Sequence, residues 1–160
     1  MNLNKPSKEL LDILHLTQEK LLTAERIKFE KNIEWRRKMI PDGPGIYALF
    51  EKNNKLLYIG ESGSLRERMG EINRTVNHSF RKQIDHIRFN GVKSSKKYNS
   101  EVETKLDKFF DEEIYVSFVE VYFGRLEIEE FMISNHQMFL TNSFKKRKFK
   151  TVMDYLRDFK

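Results

Sequence analysis

The chain of 160 residues contains no cysteine, three prolines, seven glycines and a single tryptophan. Without cysteine there is neither a disulfide nor a thiolate metal site, which fits a reducing compartment. Its four histidines, His15, His78, His86 and His136, share no i, i+3 or i+4 spacing and so carry no zinc-site signature. No apolar run approaches the roughly 18 residues that a membrane span needs. The polar first residues are unlike a signal peptide, so a cytoplasmic protein is the expectation. Two of the three prolines fall together in Pro41-Asp42-Gly43-Pro44, the strongest turn signal in the chain. What the chain does have is aromatic and aliphatic material, with thirteen Phe and six Tyr in a 39% hydrophobic composition. That is enough for one real core in one domain and argues against disorder.

Charge is abundant and unevenly placed. The net value is +6, from 30 Lys+Arg against 24 Asp+Glu. Residues 81–97 hold Arg81, Lys82, Arg88, Lys93, Lys96 and Lys97 against Asp85 alone, and residues 98–135 hold ten acidic side chains against three basic ones. Beyond them Lys145, Lys146, Arg147, Lys148 and Lys150 form a second basic block, interleaved with Phe144 and Phe149. Two basic blocks around an acidic stretch suit a phosphate-backbone partner such as DNA, while the acidic stretch offers carboxylates to a divalent cation. A solvated lysine-rich loop and a solubilising tail are the plainer readings of the same blocks.

Hydrophobic periodicity predicts a helix from Ser7 to about Lys38, with a possible break near Leu16–Thr17. Trp35, among Arg36, Arg37 and Lys38, reads as a core anchor in preference to a base-stacking residue. After the Pro-Gly turn come two runs of strand formers, Gly45–Phe50 and Leu56–Gly60, flanking the polar Glu51–Lys55 segment, which reads as a β-hairpin. Ser64-Leu65-Arg66-Glu67 is a capping-box pattern that opens a helix toward Ile72, and Ser100-Glu101-Val102-Glu103 opens another to Glu113. A helix over Ser79–Phe89 lies between them, and Gly91–Asn99 is a polar loop. The run Ile114–Phe123 is the clearest strand, followed by a helix from Leu126 to about Leu140. The expected fold is α+β, with a small, mainly antiparallel three-stranded sheet (strands near 44–52, 55–60 and 114–123) flanked by helices. The expected organisation is an N-terminal helical extension over residues 1–40, a core over 41–142, and a basic C-terminal segment over 143–160 with a short helix at 153–159.

The hairpin carries a specific pattern. Gly45-Ile46-Tyr47, ten residues, and then Tyr58-Ile59-Gly60 are followed by Arg68, eight residues past Gly60. Further on come Glu129-Glu130-Phe131-Met132-Ile133 and Phe139-Leu140-Thr141-Asn142. These elements, in this order, resemble the GIY-YIG nuclease superfamily over Gly45–Asn142. The resemblance implies catalytic roles for Tyr47, Tyr58, Arg68, Glu129 and Asn142, with Gly45 and Gly60 as backbone positions of the motif. It implies a DNA endonuclease that leaves 5′-phosphate and 3′-hydroxyl ends, in the manner of small stand-alone restriction or mobile-element members.

Chemistry supports that set. A carboxylate at Glu129 is a hard ligand for one Mg²⁺, with Mn²⁺ as a plausible substitute. Arg68 is a permanent cation with a fork of donors for a non-bridging phosphate oxygen. Tyr47 and Tyr58, on facing strands, can share a cleft, and Tyr47 by resemblance takes a proton from the attacking water or orients it. A phenol with a reference pKa near 10 does this poorly unless a metal or cation assists. Asn142 would orient the glutamate or bridge to backbone.

Two positions depart from the family pattern. Ile72 stands four residues past Arg68, where many relatives have His or Tyr, which leaves His78 or Lys55 as substitute partners of Tyr47. Glu61 follows the second glycine, where relatives often have Lys, Ser or Thr; it reads as a solvent-facing cap of the next helix, or as a second carboxylate near the metal. The DNA-gripping surface is expected to comprise the N-terminal helix together with Arg81, Lys82, Arg88, Lys93, Lys96, Lys97, Lys145, Lys146, Arg147 and Lys148. Cutting both strands would take a homodimer or two sequential nicks. The rival readings are a structure- or strand-specific nickase, a single-strand nuclease, and a catalytically weak DNA-binding module.

Overall fold

A computed structural model describes residues 7–74, 78–91 and 98–136. Among the described residues the order is α1 (Lys8–Thr23), β1 (Ile27–Lys28), α2 (Ile33–Met39), β2 (Gly45–Glu51), β3 (Leu56–Ser62), α3 (Leu65–Glu71), α4 (Ser79–Arg88), α5 (Ser100–Glu113), β4 (Ile114–Glu120) and α6 (Arg125–His136). The strands form one antiparallel sheet of order β1-β4-β2-β3. No helix among the described residues is long and apolar enough to cross a membrane.

The α+β plan holds, with four strands where three were expected. The additional strand lies inside the segment predicted as one long helix. That helix stops at Thr23, and Ile27 and Lys28 pair with Val116 and Tyr115 on β4. Pairing with a strand 89 residues away is a tertiary event with no local helix-stop of its own, and Arg26–Phe29 offers no Gly or Pro to announce it. The chain then re-enters a helix at Asn32, whose side chain accepts the Trp35 N–H at 2.6 Å. Trp35 is buried against Phe29, in line with the core-anchor reading. The expected extension thus supplies one strand of the sheet and the helix α1.

Alternation along β2 divides two cores. Tyr47 and Leu49 face Trp35, Met69, Phe80, Leu106 and Phe110 from α2–α5. Ile46, Ala48 and Phe50 face Leu14 and Leu21 of α1 and Ile128, Phe131 and Met132 of α6. Helices on both faces explain why β2 reads as an unbroken apolar run. The buried Ser117 hydroxyl donates to the Leu21 carbonyl at 2.7 Å, tying the end of α1 to β4. The hairpin turns at Asn54, whose φ of 69° is a left-handed value that Asn tolerates.

Side-chain caps set the helix starts. Ser64 accepts from Glu67 N–H at 3.2 Å, as its capping box predicts. The cap of α5, however, is Asn99, which accepts from Val102 N–H at 2.9 Å one residue ahead of the predicted serine.

Arg81 corrects the expectation for the first basic block. It was expected on the DNA-facing surface, but it is 2% exposed. Its guanidinium meets Glu103 Oε2 at 2.6 Å and Asp107 Oδ1 at 2.9 Å, and donates to Asn73 Oδ1. The acidic face of α5 draws this arginine inward and joins α4 to α5. Arg88 pairs with Glu51 at 2.7 Å and lies over the Phe109 ring, so it also ties a helix to the sheet, with about a third of its side chain exposed. Removing one member of a buried ionic cluster leaves its partners uncompensated, at about 3–5 kcal/mol. Arg81→Ala should therefore destabilise the fold by that order in chemical denaturation while leaving the salt slope of DNA binding unchanged. A stable variant with a flattened salt slope would restore Arg81 to the DNA surface.

Candidate active site

The β2–β3 register places Tyr47 directly opposite Gly60. A Cβ on Gly60 would stand 2.5 Å from Tyr47 Cζ, so the phenol can lie across this strand only if the facing residue is glycine. Gly45 is constrained in the same way, because a Cβ there would meet Leu65 Cδ1 at 2.7 Å and run into the Val119 carbonyl. Both motif glycines are thus close-approach positions, with ordinary backbone angles. Tyr58 stacks on Tyr47 with ring centroids 6.1 Å apart, and its hydroxyl reaches toward Ser79 Oγ at 3.5 Å.

His78 completes the group. It is the N-cap of α4, and its Nδ1 accepts the Phe80 N–H at 3.1 Å. That bond assigns the neutral tautomer, because an accepting Nδ1 leaves the proton on Nε2. Nε2 lies 2.9 Å from Tyr47 Oη and therefore donates to the phenol. Burial, followed by the Arg68 and Lys82 charges, pushes His78 down from its ordinary value of 6.5 to about 4, so the ring is neutral near pH 7. Burial and then Tyr58 push Tyr47 well above its ordinary range. Burial is also the main cause that raises Tyr58. Both phenols are protonated at rest.

Arg68 and Glu129 approach this pair from two helices. Arg68, near the end of α3, pairs with Glu71 at 2.9 Å, and its buried Nε has no hydrogen-bond partner among the described residues. Its charge favours ionisation of both phenols, while that of Glu129 opposes it, which places both groups within electrostatic reach of them. Because β3 is an edge strand, its outward N–H groups have no neighbouring strand. Glu129 Oε1 takes one of them, the Glu61 N–H, at 3.2 Å. The carboxylate is thereby anchored one residue past the glycine that admits Tyr47.

The helix-cap reading of Glu61 does not hold. Ser64 caps α3, and the Glu61 carboxylate pairs with Arg125 Nε at 3.1 Å. Ile72 is fully buried in the core, and Lys55 is an exposed residue of the hairpin turn, about 17 Å along the strand from Gly60 at 3.4 Å per residue. Of the two proposed partners of Tyr47, His78 is the one that the fold brings to it. Lys82, half-buried on α4, is close enough to influence His78. Asn142, Lys93, Lys96, Lys97, Lys145, Lys146, Arg147 and Lys148 lie outside the described residues. Sequence reasoning missed Arg125 and the Glu61 N–H. The latter is backbone, and only its place on an edge strand marks it.

The donor set tests which metal could fit. No group of three or more His, Cys, Asp or Glu among the described residues could cage an ion. Both His78 nitrogens are already hydrogen-bonded. One anchored carboxylate suits a hard, mostly hydrated cation such as Mg²⁺, which completes its shell with water and phosphate oxygens.

Two stacked phenols, a histidine, an arginine and a carboxylate are thus gathered at an open sheet edge of an α+β scaffold. The chain belongs to the GIY-YIG catalytic domain family of nucleases, whose model matches residues 43–142. Nucleases of this family generally depend on a divalent metal. Three curated relatives, each named UvrABC system protein C, share shorter segments. The protein from Nautilia profundicola is 56% identical over 32 residues, 20% of this chain and 5% of its own length. That from Christiangramia forsetii is 40% identical over 37 residues, 23% of this chain and 6% of its own. That from a Psychrobacter species is 35% identical over 65 residues, 41% of this chain and 9% of its own. The chain therefore spans less than a tenth of the length of each of these relatives. No solved structure matches it.

The lowered His78 value sets a pH signature. As pH falls below 6.5 the unfolded chain takes the proton, whereas folded His78 does so only near 4. The stability that neutral His78 contributes is full above about pH 6.5 and is lost by about pH 4, on the order of 3 kcal/mol. In denaturation series, stability should fall more steeply across this window in the wild type than in His78→Gln. Parallel curves would contradict the buried neutral imidazole.

Proposed function

We propose that the chain is a divalent-metal-dependent DNA endonuclease that hydrolyses a phosphodiester to a 5′-phosphate and a 3′-hydroxyl. The observation that carries this reading is the convergence of Tyr47, Tyr58, His78, Arg68 and Glu129 at the open edge of β3. Glu129 would hold the cation, which when bound offsets charge on the phosphate and its leaving oxygen. Arg68 donates to a non-bridging oxygen, a contact that strengthens as negative charge builds toward the transition state.

Tyr47 orients the attacking water at Oη. Since the phenol is protonated at rest, it can take the water's proton only as its own proton moves on, and Tyr58 is the neighbour that accepts from it. Ser79, exposed beside the Tyr58 hydroxyl, leads toward solvent. Throughout, the His78 Nε2–H donates to Tyr47 Oη and so favours its anionic form, as a hydrogen bond to a charged group does. A donor in this place supports a catalytic role over that of a weak DNA-binding module.

Each chain carries one such set of groups and so cuts one strand per event. A restriction or mobile-element role then requires two copies, as a homodimer or in sequential nicks, with the lysines of residues 93–97 and 145–148 as further grip. Supercoiled plasmid with Mg²⁺ or Mn²⁺ should become nicked or linear. Arg68→Ala should lower the single-turnover rate by about 10²–10³-fold, and Glu129→Ala should abolish cleavage while DNA binding persists. Intact plasmid under every divalent metal, or undiminished cutting by Glu129→Ala, would overturn the reading.

A further inference from the structure

Beside the catalytic cleft, α3 lines a second concavity. A cavity of about 110 Å³ opens between α2 and the C-terminal end of α3, lined among others by Lys31, Asn32, Arg36, Gly70, Asn73 and Arg74. Three of these are cations, and no acidic side chain lines it. In a chain with 24 carboxylates, a concave site with three cations and no lining acid is a selective arrangement.

Two features show that the site is built. The first is Asn73, which is only 5% exposed. Its Oδ1 accepts from Arg81, which fixes the orientation of the amide, and its buried Nδ2 has no hydrogen-bond partner among the described residues. A buried donor left unsatisfied costs about 1–3 kcal/mol, which an acceptor that reaches Nδ2 would recover. The second is Gly70. The Arg36 guanidinium lies flush against it, and any Cβ there would meet Arg36 Nη1 and stand 3.0 Å from Cζ. Glycine therefore lets the guanidinium rest at the cavity wall. Lys31 is mostly exposed and only loosely paired, at 3.7 Å from Asp107, so it can turn to a new anion.

We propose that this cavity is an oxyanion-binding site for a phosphate, and that in the nuclease it takes a backbone phosphate of the DNA away from the scissile bond. Arg36 and Arg74 supply charge-assisted donors and Asn73 Nδ2 a neutral one, a set that matches a tetrahedral oxyanion. Its volume equals about three to four liquid waters at about 30 Å³ each, room for one such group. The phosphodiester source rests on the endonuclease reading. Arg68 and Asn73 lie on one short segment, α3 and the turn that ends it, so a phosphate held here would register the backbone relative to the catalytic arginine. The anion site itself does not depend on that reading.

The test has two arms, neither of which needs cleavage. In the first, inorganic phosphate is titrated at constant ionic strength while the side-chain amide of Asn73 is followed by NMR. The expected result is a saturable shift in the wild type that is lost in Arg36→Gln/Arg74→Gln; the absence of a saturable shift, or its persistence in the variant, overturns the site. In the second, duplex DNA binding by the Glu129→Ala protein is measured across salt concentrations, with and without Arg36→Gln/Arg74→Gln. Losing one neutralised phosphate should lower the slope of log affinity against log salt by about 0.9. A saturable phosphate shift with an unchanged slope would overturn the DNA source and leave a site for a free phosphate. A lowered slope in a protein that cuts no plasmid would keep this proposal and sink the endonuclease reading instead. Both arginines reach the surface, so the variant should keep the wild-type melting temperature; Arg74→Glu, which makes the same change in charge at one position, provides a second slope measurement.

Discussion

The site depends on one steric vacancy. Tyr47 lies across Gly60 because that position has no side chain, and with the ring there every neighbour is determined. Tyr58, on the same face, can only stack against it; His78 meets its hydroxyl from the start of α4; and α3 must pass close over Gly45 to bring Arg68 alongside. The two glycines, on facing strands at the open end of the hairpin, therefore set distances between elements, one for a ring on a strand and one for a helix on a strand. Motif residues that look chemically inert are what allow the reactive ones to converge.

Sheet order supplies the second constraint. Placing β3 at the edge leaves the Glu61 N–H unpaired within the sheet, and Glu129 crosses the edge to accept from it. A backbone N–H thus holds the carboxylate against the sheet. Glu61 turns its own carboxylate to Arg125, at the opening of the helix that carries Glu129, and so clamps that helix to the same strand. The charge distribution follows the same logic. Part of the acidic stretch lies inside the fold, on Arg81, while a carboxylate-free cavity remains beside α3.

Much of this was legible beforehand where local physics governs. The hairpin, the Ser64 cap and the bounds of α3, α4 and α5 follow from alternation, turn residues and capping chemistry, and Tyr47, Tyr58, Arg68 and Glu129 follow from a motif with fixed order. What the sequence hid was decided by distant partners. β1 forms because β4 has an open side, not because Ile27-Lys28 is a strong strand. Arg81 reads as a surface cation until Glu103 and Asp107 come across from another helix to enclose it. His78 is one of two candidate partners of Tyr47 in the sequence, and no spacing across the 31 residues between them singles it out; the entry of α4 over the sheet does. The Glu61 amide has no signature of residue type at all.

If these side chains direct water onto the phosphorus of a DNA phosphodiester, the oxygen of that water is kept in the product. Cleavage of a defined duplex in ¹⁸O-enriched water with Mg²⁺, followed by mass spectrometry of the ends, should find one ¹⁸O atom in each new 5′-phosphate and an unlabelled 3′-hydroxyl. Ends bearing a 3′-phosphate, a 5′-phosphate without the label, or labelled ends formed equally by Glu129→Ala would mean that these groups do not direct water onto the phosphorus.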